Sequence, residues 1–207
     1  MFAFVGIVIA MAVLLLPPDS AAADKTAPVE INEENFPDEI FRQYVSDNFD
    51  TDGNGFLSEL EIARQDFINV SNENITTLKG IEFFTSLKKL NCGNNQLTDL
   101  DVSKNVALTS LHCNLNQLTP LDVSQNTALL HLCCDHNAIT ELNLEKNENL
   151  SILECQYTKL TSLDVSNNTN LTILNCNSSL LEEISLGTHE KLFRIECMGL
   201  EKLLELD

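Results

Sequence analysis

Two groups of side chains have residue types and spacings that could do chemistry. The first is the run Asp50-Thr51-Asp52-Gly53-Asn54-Gly55-Phe56-Leu57-Ser58-Glu59-Leu60-Glu61, in which oxygen donors alternate with small or apolar residues. Donor sets made only of oxygen suit hard cations rather than transition metals. The second is Cys133 with His112, His131, Asp135 and Glu154. Thiolate, imidazole and carboxylate are zinc-ligand types, and a Cys near a His is also the raw material of a hydrolase nucleophile. Such a nucleophile needs a base in hydrogen-bond reach and an oxyanion site. No glycine-rich nest adjoins Cys133 and no third orienting group is evident. The plainer reading of this second group is a mixed polar surface, and the chain is not expected to be an enzyme.

The acidic run resembles an EF-hand calcium loop at every coordinating slot. The resemblance implies side-chain oxygens from Asp50, Asp52 and Asn54, the backbone carbonyl of Phe56, a direct or water-bridged contact from Ser58, and a bidentate carboxylate from Glu61. Gly55 stands where the sharp turn asks for positive φ. Helical spacing of Phe36, Ile40, Phe41, Tyr44 and Val45 predicts an entering helix within 33–49, and 58–67 can form the exit helix. No second loop follows, which counts against a paired module or a dockerin. A lone loop implies a weak calcium site that stabilises the entry to the next domain; the alternative is a degenerate loop that keeps its turn and binds nothing.

What must position everything else is a repeat. Leucine recurs every 21 residues at 87, 108, 129, 150, 171 and 192. The same clock carries Leu90, Leu111, Leu132, Leu153, Leu174 and Ile195, then Cys92, Cys113, Cys134, Cys155, Cys176 and Cys197. A fixed period of this length is the mark of a solenoid. Each unit offers a short strand with its Leu–Cys pair inward, and stacked units about 4.8 Å apart bury what one unit cannot. Asn95, Asn116 and Asn137 fall where the chain leaves the strand and can satisfy backbone groups of adjacent turns; Thr158 and Ser179 replace them later. Asp101, Asp122 and Asp164, with Ser103, Ser124 and Ser166, are expected to cap turns on the opposite edge. Six in-register cysteines favour a buried reduced column over bridges, since parallel neighbours suit the disulfide torsion poorly. Cys133 falls one residue out of phase and is expected on the concave surface.

The L-x-x-L-x-C-x-x-N stretch resembles a leucine-rich repeat with Cys in a usual Leu slot. With the loop ahead of it, the pattern over roughly 31–198 is similar to bacterial internalin-like surface proteins with a cysteine ladder. The fold expected is an α/β solenoid, a right-handed leucine-rich-repeat superhelix of about six 21-residue units with a small helical N-terminal cap. Its divisions are a signal peptide at 1–23, a linker at 24–30, an EF-hand-like cap at 31–66 and repeats at 67–207, with 67–86 as an atypical capping repeat. The signal peptide rests on the apolar run 2–16, followed by Pro17-Pro18 and Ala21-Ala22-Ala23, although no Lys or Arg precedes it.

A formal net charge of −19, from 12 basic and 31 acidic side chains, repels phosphate backbones, so nucleic acid is not an expected partner. The resemblance implies a secreted or cell-surface bacterial protein, a monomer, that binds a protein or glycan ligand. The expected contact residues are Ile152 and Ile173, adjacent on the outward lattice, with Leu115 and Tyr157 at the strand edge and His131, Glu154 and Arg194 for polar selectivity. The alternatives are a structural spacer of a surface assembly and, more remotely, a Cys-dependent hydrolase.

Overall fold

The computed structural model describes residues 27–177, 180–197 and 205–206. The segment read as a signal peptide and Ser179 lie outside these. The chain enters through β1 (Val29–Glu30), α1 (Glu39–Phe49), β2 (Phe56–Leu57) and α2 (Glu59–Ala63). Helix α1 starts later than the apolar spacing predicts, because Pro37 disfavours helical geometry at Phe36 and Asp38 caps the first turn. The Asp38 carboxylate accepts from the backbone N–H groups of Ile40 and Phe41 at 3.0 Å each. Helix α2 is short, opened by a capping box between Ser58 and Glu61, and it ends before Phe67 rather than including it. Phe36, Phe41, Val45, Phe49 and Leu57 are buried together with Phe84 of the first turn, so this N-terminal unit and the solenoid share one core.

The first strand of the solenoid falls at Phe67, within the atypical unit 67–86, and pairs as regularly as the strands that follow. Strand β3 (Phe67–Asn69) pairs in register with β4 (Lys89–Asn91), ahead of a 3-10 turn at Ile81–Phe83. Strands β5 (Ser110–His112), β6 (His131–Cys133), β7 (Ile152–Glu154), β9 (Ile173–Asn175) and β11 (Arg194–Glu196) continue one parallel seven-stranded sheet. On the opposite side of the later turns, β8 (Ser162–Asp164), β10 (Glu183–Ser185) and β12 (Glu205–Leu206) make a second parallel sheet. Among the described residues, α-helix occurs only before β3, so the repeats form a β-solenoid and not the α/β solenoid expected. The 21-residue unit spends its return path on tight turns, which leaves no span long enough for a helix.

Two asparagine ladders hold those turns. In the first, the Asn137 amide donates to the carbonyls of Cys113 and Cys134, both at 3.0 Å, and its oxygen accepts from the N–H of Leu118 at 2.9 Å. Asn95 and Asn116 repeat the pattern. Where Thr158 takes the position, its hydroxyl donates to the carbonyl of Cys155 at 2.8 Å. The second ladder, Asn105, Asn126, Asn147 and Asn168, is fully internal and was not singled out by the repeat reading. Each of its amides spans two carbonyls of the preceding turn, as Asn126 does with Val102 and Asn105. Asp101, Asp122 and Asp164 cap their turns as expected, accepting from the N–H groups of Ser103, Ser124 and Ser166.

The cysteine column is buried and mostly reduced, with one correction. Cys92, Cys113, Cys134 and Cys155 are free, whereas Cys176 and Cys197 form a disulfide with Cα atoms 5.0 Å apart. The pair directly follows the last two strands of the sheet, β9 and β11, where adjacent rungs come within bridging range.

Candidate functional site

The acidic loop is placed by α1, which delivers Asp50 at its C-terminal cap, and by α2, which delivers Glu61 in its first turn. Gly53 and Gly55 take φ values of 68° and 81°, so the chain doubles back and carries the oxygens inward. One ligand atom each from Asp50, Asp52 and Glu61 lies within 4.8 Å of the others. Residues 29–30, read as part of a linker, form the strand that pairs antiparallel with Phe56–Leu57, so the loop is braced although it has no second loop beside it. Glu61 is nearly buried and accepts four hydrogen bonds, from the hydroxyl and N–H of Thr51 (2.6 and 2.7 Å) and of Ser58 (2.8 and 2.9 Å). The Thr51 hydroxyl and then the Ser58 N–H hold the Glu61 carboxyl down to about 2. Asp50 accepts from the N–H groups of Asn54 and Gly55, and the Asn54 oxygen from that of Phe56. The loop is thus held in its turn by its own candidate ligands.

The second region is the outward face of the seven-stranded sheet. Strand alternation sends two rows outward. In register, the first row runs Phe67, Lys89, Ser110, His131, Ile152, Ile173, Arg194, and the second Asn69, Asn91, His112, Cys133, Glu154, Asn175, Glu196. Ile152 and Ile173 are direct cross-strand neighbours, each partly exposed. The polar residues expected around them are already engaged. His131 Nε2 is 3.0 Å from Glu154 Oε2, its Nδ1 is 3.2 Å from His112 Nε2, and Arg194 pairs with Glu196.

Cys133 departs from expectation: it is 8% exposed rather than open on the surface. Its thiol donates to Asp135 Oδ1 at 2.9 Å. Burial and then the Asp135 carboxylate push the thiol far above its ordinary range, so it is a poor nucleophile and a poor metal ligand. The thiol turns to Asp135 while His131 is engaged at both nitrogens. Among the described residues the set that brings three possible metal ligands together is the acidic loop, and not the Cys133 group.

Leu115 and Tyr157 stand off the strand, in a column the sequence reading did not assemble. Asn94, Leu115, His136 and Tyr157 recur every 21 residues, with Asn72 22 residues before the first of them, all with φ between 53° and 64°. Asparagine, and histidine with it, tolerates this left-handed geometry; Leu and Tyr do so at a cost. Leu115 and Tyr157 are 45% and 61% exposed, and the Tyr157 ring stacks on His136 at 4.4 Å. The available signal was the register itself, since His136 falls where the earlier units carry Asn.

The arrangement has solved counterparts. The functional domain of InlJ from Listeria monocytogenes, which includes a cysteine ladder, superposes with a TM-score of 0.69 at 35% identity, over 88% of this chain and 38% of that one. This solenoid is internalin-like. In sequence, internalin J of L. monocytogenes serotype 4b (strain F2365) is 36% identical over 70 residues, which is 34% of this chain and 8% of that protein. An internalin (inlF) from the same strain matches at a TM-score of 0.58 and 18% identity, over 87% of this chain and 71% of that one, and shows the fold alone. No family model matches the chain. The internalin-like chain spans well under half the length of internalin J, so only the leucine-rich-repeat architecture and the cysteine ladder are shared on this footing.

Proposed function

We propose that this internalin-like chain is a secreted or cell-surface, adhesin-like binding module whose outward sheet face captures a protein or glycan on another surface. The observation that carries the reading is the Ile152–Ile173 pair, two aliphatic side chains in direct register and partly open to solvent, flanked along their row by His131 and Arg194. Leu115 and Tyr157 are further exposed apolar side chains on the turns that follow the strands, and His131, Glu154 and Arg194 border the pair. Apolar neighbours inside a polar rim are the usual makeup of a binding hot spot. The relatives' internalin identity supports a binding role over an enzymatic one, and the shielded Cys133 thiol supports it further. The superhelix is taken as right-handed and the module as a monomer.

The EF-hand-like loop is proposed as a weak calcium site formed by Asp50, Asp52, Asn54, the Phe56 carbonyl, Ser58 and Glu61. The donor chemistry is all oxygen: the Asp50 and Asp52 carboxylate oxygens each keep a lone pair for a cation, whereas the four acceptor sites of Glu61 are filled by Thr51 and Ser58, which calcium would have to displace. Calcium bound there would stabilise the N-terminal unit by mass action. Calorimetry of the parent against the Asp50→Ala/Glu61→Ala double variant tests this, with heat expected from the parent alone. For the face, Ile152→Ser/Ile173→Ser should abolish capture of surface proteins or glycans while leaving the melting temperature within a few degrees. Undiminished capture refutes the face, and capture of nothing by the parent favours the structural-spacer reading.

A further inference from the structure

The outward face carries a hydrogen-bonded chain whose proton count is fixed by its geometry. His131 belongs to the first outward row, yet its ring hydrogen-bonds second-row neighbours: His112 of β5 through Nδ1 and Glu154 of β7 through Nε2. Between those two neighbours in the second row lies Cys133. The His131 ring therefore leans along its own strand and bridges the rung on which Cys133 sits. This accounts for a buried thiol in a row whose other members from β4 to β9 are half-buried.

A carboxylate can only accept, so Nε2 of His131 carries the proton directed at Glu154. In neutral His131, Nδ1 is then an acceptor, and His112 must donate from its Nε2. One added proton is accommodated. If it goes to His131, the imidazolium donates to both neighbours and His112 shifts to the tautomer protonated on Nδ1. Two added protons are not accommodated, because N–H would face N–H across the 3.2 Å gap between two cations. The ionisable groups around the pair are Glu154 from β7, Cys133 on β6, and Asp135 with His136 on the turn after it. His131 has a carboxylate partner in Glu154, whereas no carboxylate bonds His112 among the described residues. Burial and then the neighbouring His131 hold the His112 imidazole below its ordinary range.

We propose that His112–His131–Glu154 is an acid-sensitive latch on the outward sheet face, closed over Cys133 until both imidazoles are protonated and open thereafter. Opening uncovers the Cys133–Asp135 floor and leaves two positive charges on the face, one of them on His131 beside Ile152, so a partner fitted to the closed face is released in acid. This regulation rests on the binding face proposed above, but the latch is testable on the free protein.

The experiment is a histidine NMR titration of the full chain from pH 8 to 4.5. It is paired with labelling of Cys133 by a dipyridyl disulfide, read by peptide mass spectrometry and normalised at each pH to a small free thiol. At pH 8, His112 and His131 should both be protonated on Nε2, and their two protonation steps should lie more than about one pH unit apart. Normalised labelling should rise at least about tenfold through the second step. His112→Asn should abolish that rise, having removed the second charge. Independent titration of the two rings, labelling that stays flat with pH, or a rise that persists in His112→Asn would each overturn the latch. No partner is used, so failure of the binding face and failure of the latch are read separately.

Discussion

The two asparagine ladders look alike in the repeat but should differ sharply in what they contribute. In Asn137→Ala, the N–H of Leu118 and the carbonyl of Cys134 lose the hydrogen-bond partner they have among the described residues, and both residues are fully buried. An orphaned buried backbone group costs about 1–3 kcal/mol. Two of them, with a small cavity, put the loss at about 4 kcal/mol. Asn126→Ala is different. The carbonyls that Asn126 serves, Val102 and Asn105, also accept from the N–H groups of Asn105 and Leu108, each at 3.0 Å. No backbone group is orphaned there, and the substitution also removes a buried Asn126 oxygen with no protein hydrogen-bond partner. Its cost should be about 1–2 kcal/mol. Equilibrium urea unfolding measures both, and amide exchange gives a local check: Leu118 protection should collapse in Asn137→Ala and persist in Asn126→Ala. Equal costs, or a Leu118 amide indifferent to Asn137, would refute the reasoning that orphaned backbone groups and not lost side-chain bonds set the scale.

Other perturbations test other parts of the fold. The Glu61 carboxyl lies below its unfolded range, so its contribution is complete above about pH 4.5 and is lost as pH falls toward about 2. Glu61→Gln should cost about 2 kcal/mol at pH 7, and its deficit should vanish in an acid unfolding series near pH 2. Cys176→Ser/Cys197→Ser opens a bridge of sequence separation 21 and should cost about 3 kcal/mol in oxidising buffer, with no difference once both proteins are reduced. Leu132→Ala, at a fully buried rung, should cost about 2–5 kcal/mol in denaturant unfolding, against under about 1 kcal/mol for Ile152→Ser on the other side of the same sheet.

The solenoid was legible because stacking demands identity at fixed intervals. Leu90, Leu111 and Leu132 must occupy one column, and each inward position reports its own burial. The first strand at Phe67–Asn69 escaped because it keeps only the alternation of the repeat, with Ile68 inward, and lacks the flanking L-x-x-L-x-C. The Asn126 ladder was in view in every unit. Asparagine at a turn is so commonly explained by local backbone geometry that its internal position could not be told from the sequence. The disulfide was missed for a physical reason too: the argument from parallel neighbours treats every rung as equivalent, and Cys176 and Cys197 sit just past the last two strands of the sheet.

Features tied to function are less legible because they depend on where side chains lean, and a repeat fixes only where they start. Register places His112, Cys133 and Glu154 along one row and His131 in the next. Parallel emergence from a strand argues against their meeting. The His131 ring nonetheless crosses from its row into the other and links both neighbours. Likewise the left-handed backbone at Leu115, His136 and Tyr157 is inherited from a turn that Asn72 and Asn94 fit without strain. Substituting larger side chains there leaves the turn unchanged and projects them into solvent. The cost falls on the backbone and the gain must come from outside the fold, since side chains 45% and 61% exposed recover little by burial. Replacing Leu115 and Tyr157 by Asn should therefore raise the unfolding midpoint while weakening capture at the sheet face. A variant less stable than the parent would show that these side chains serve folding after all.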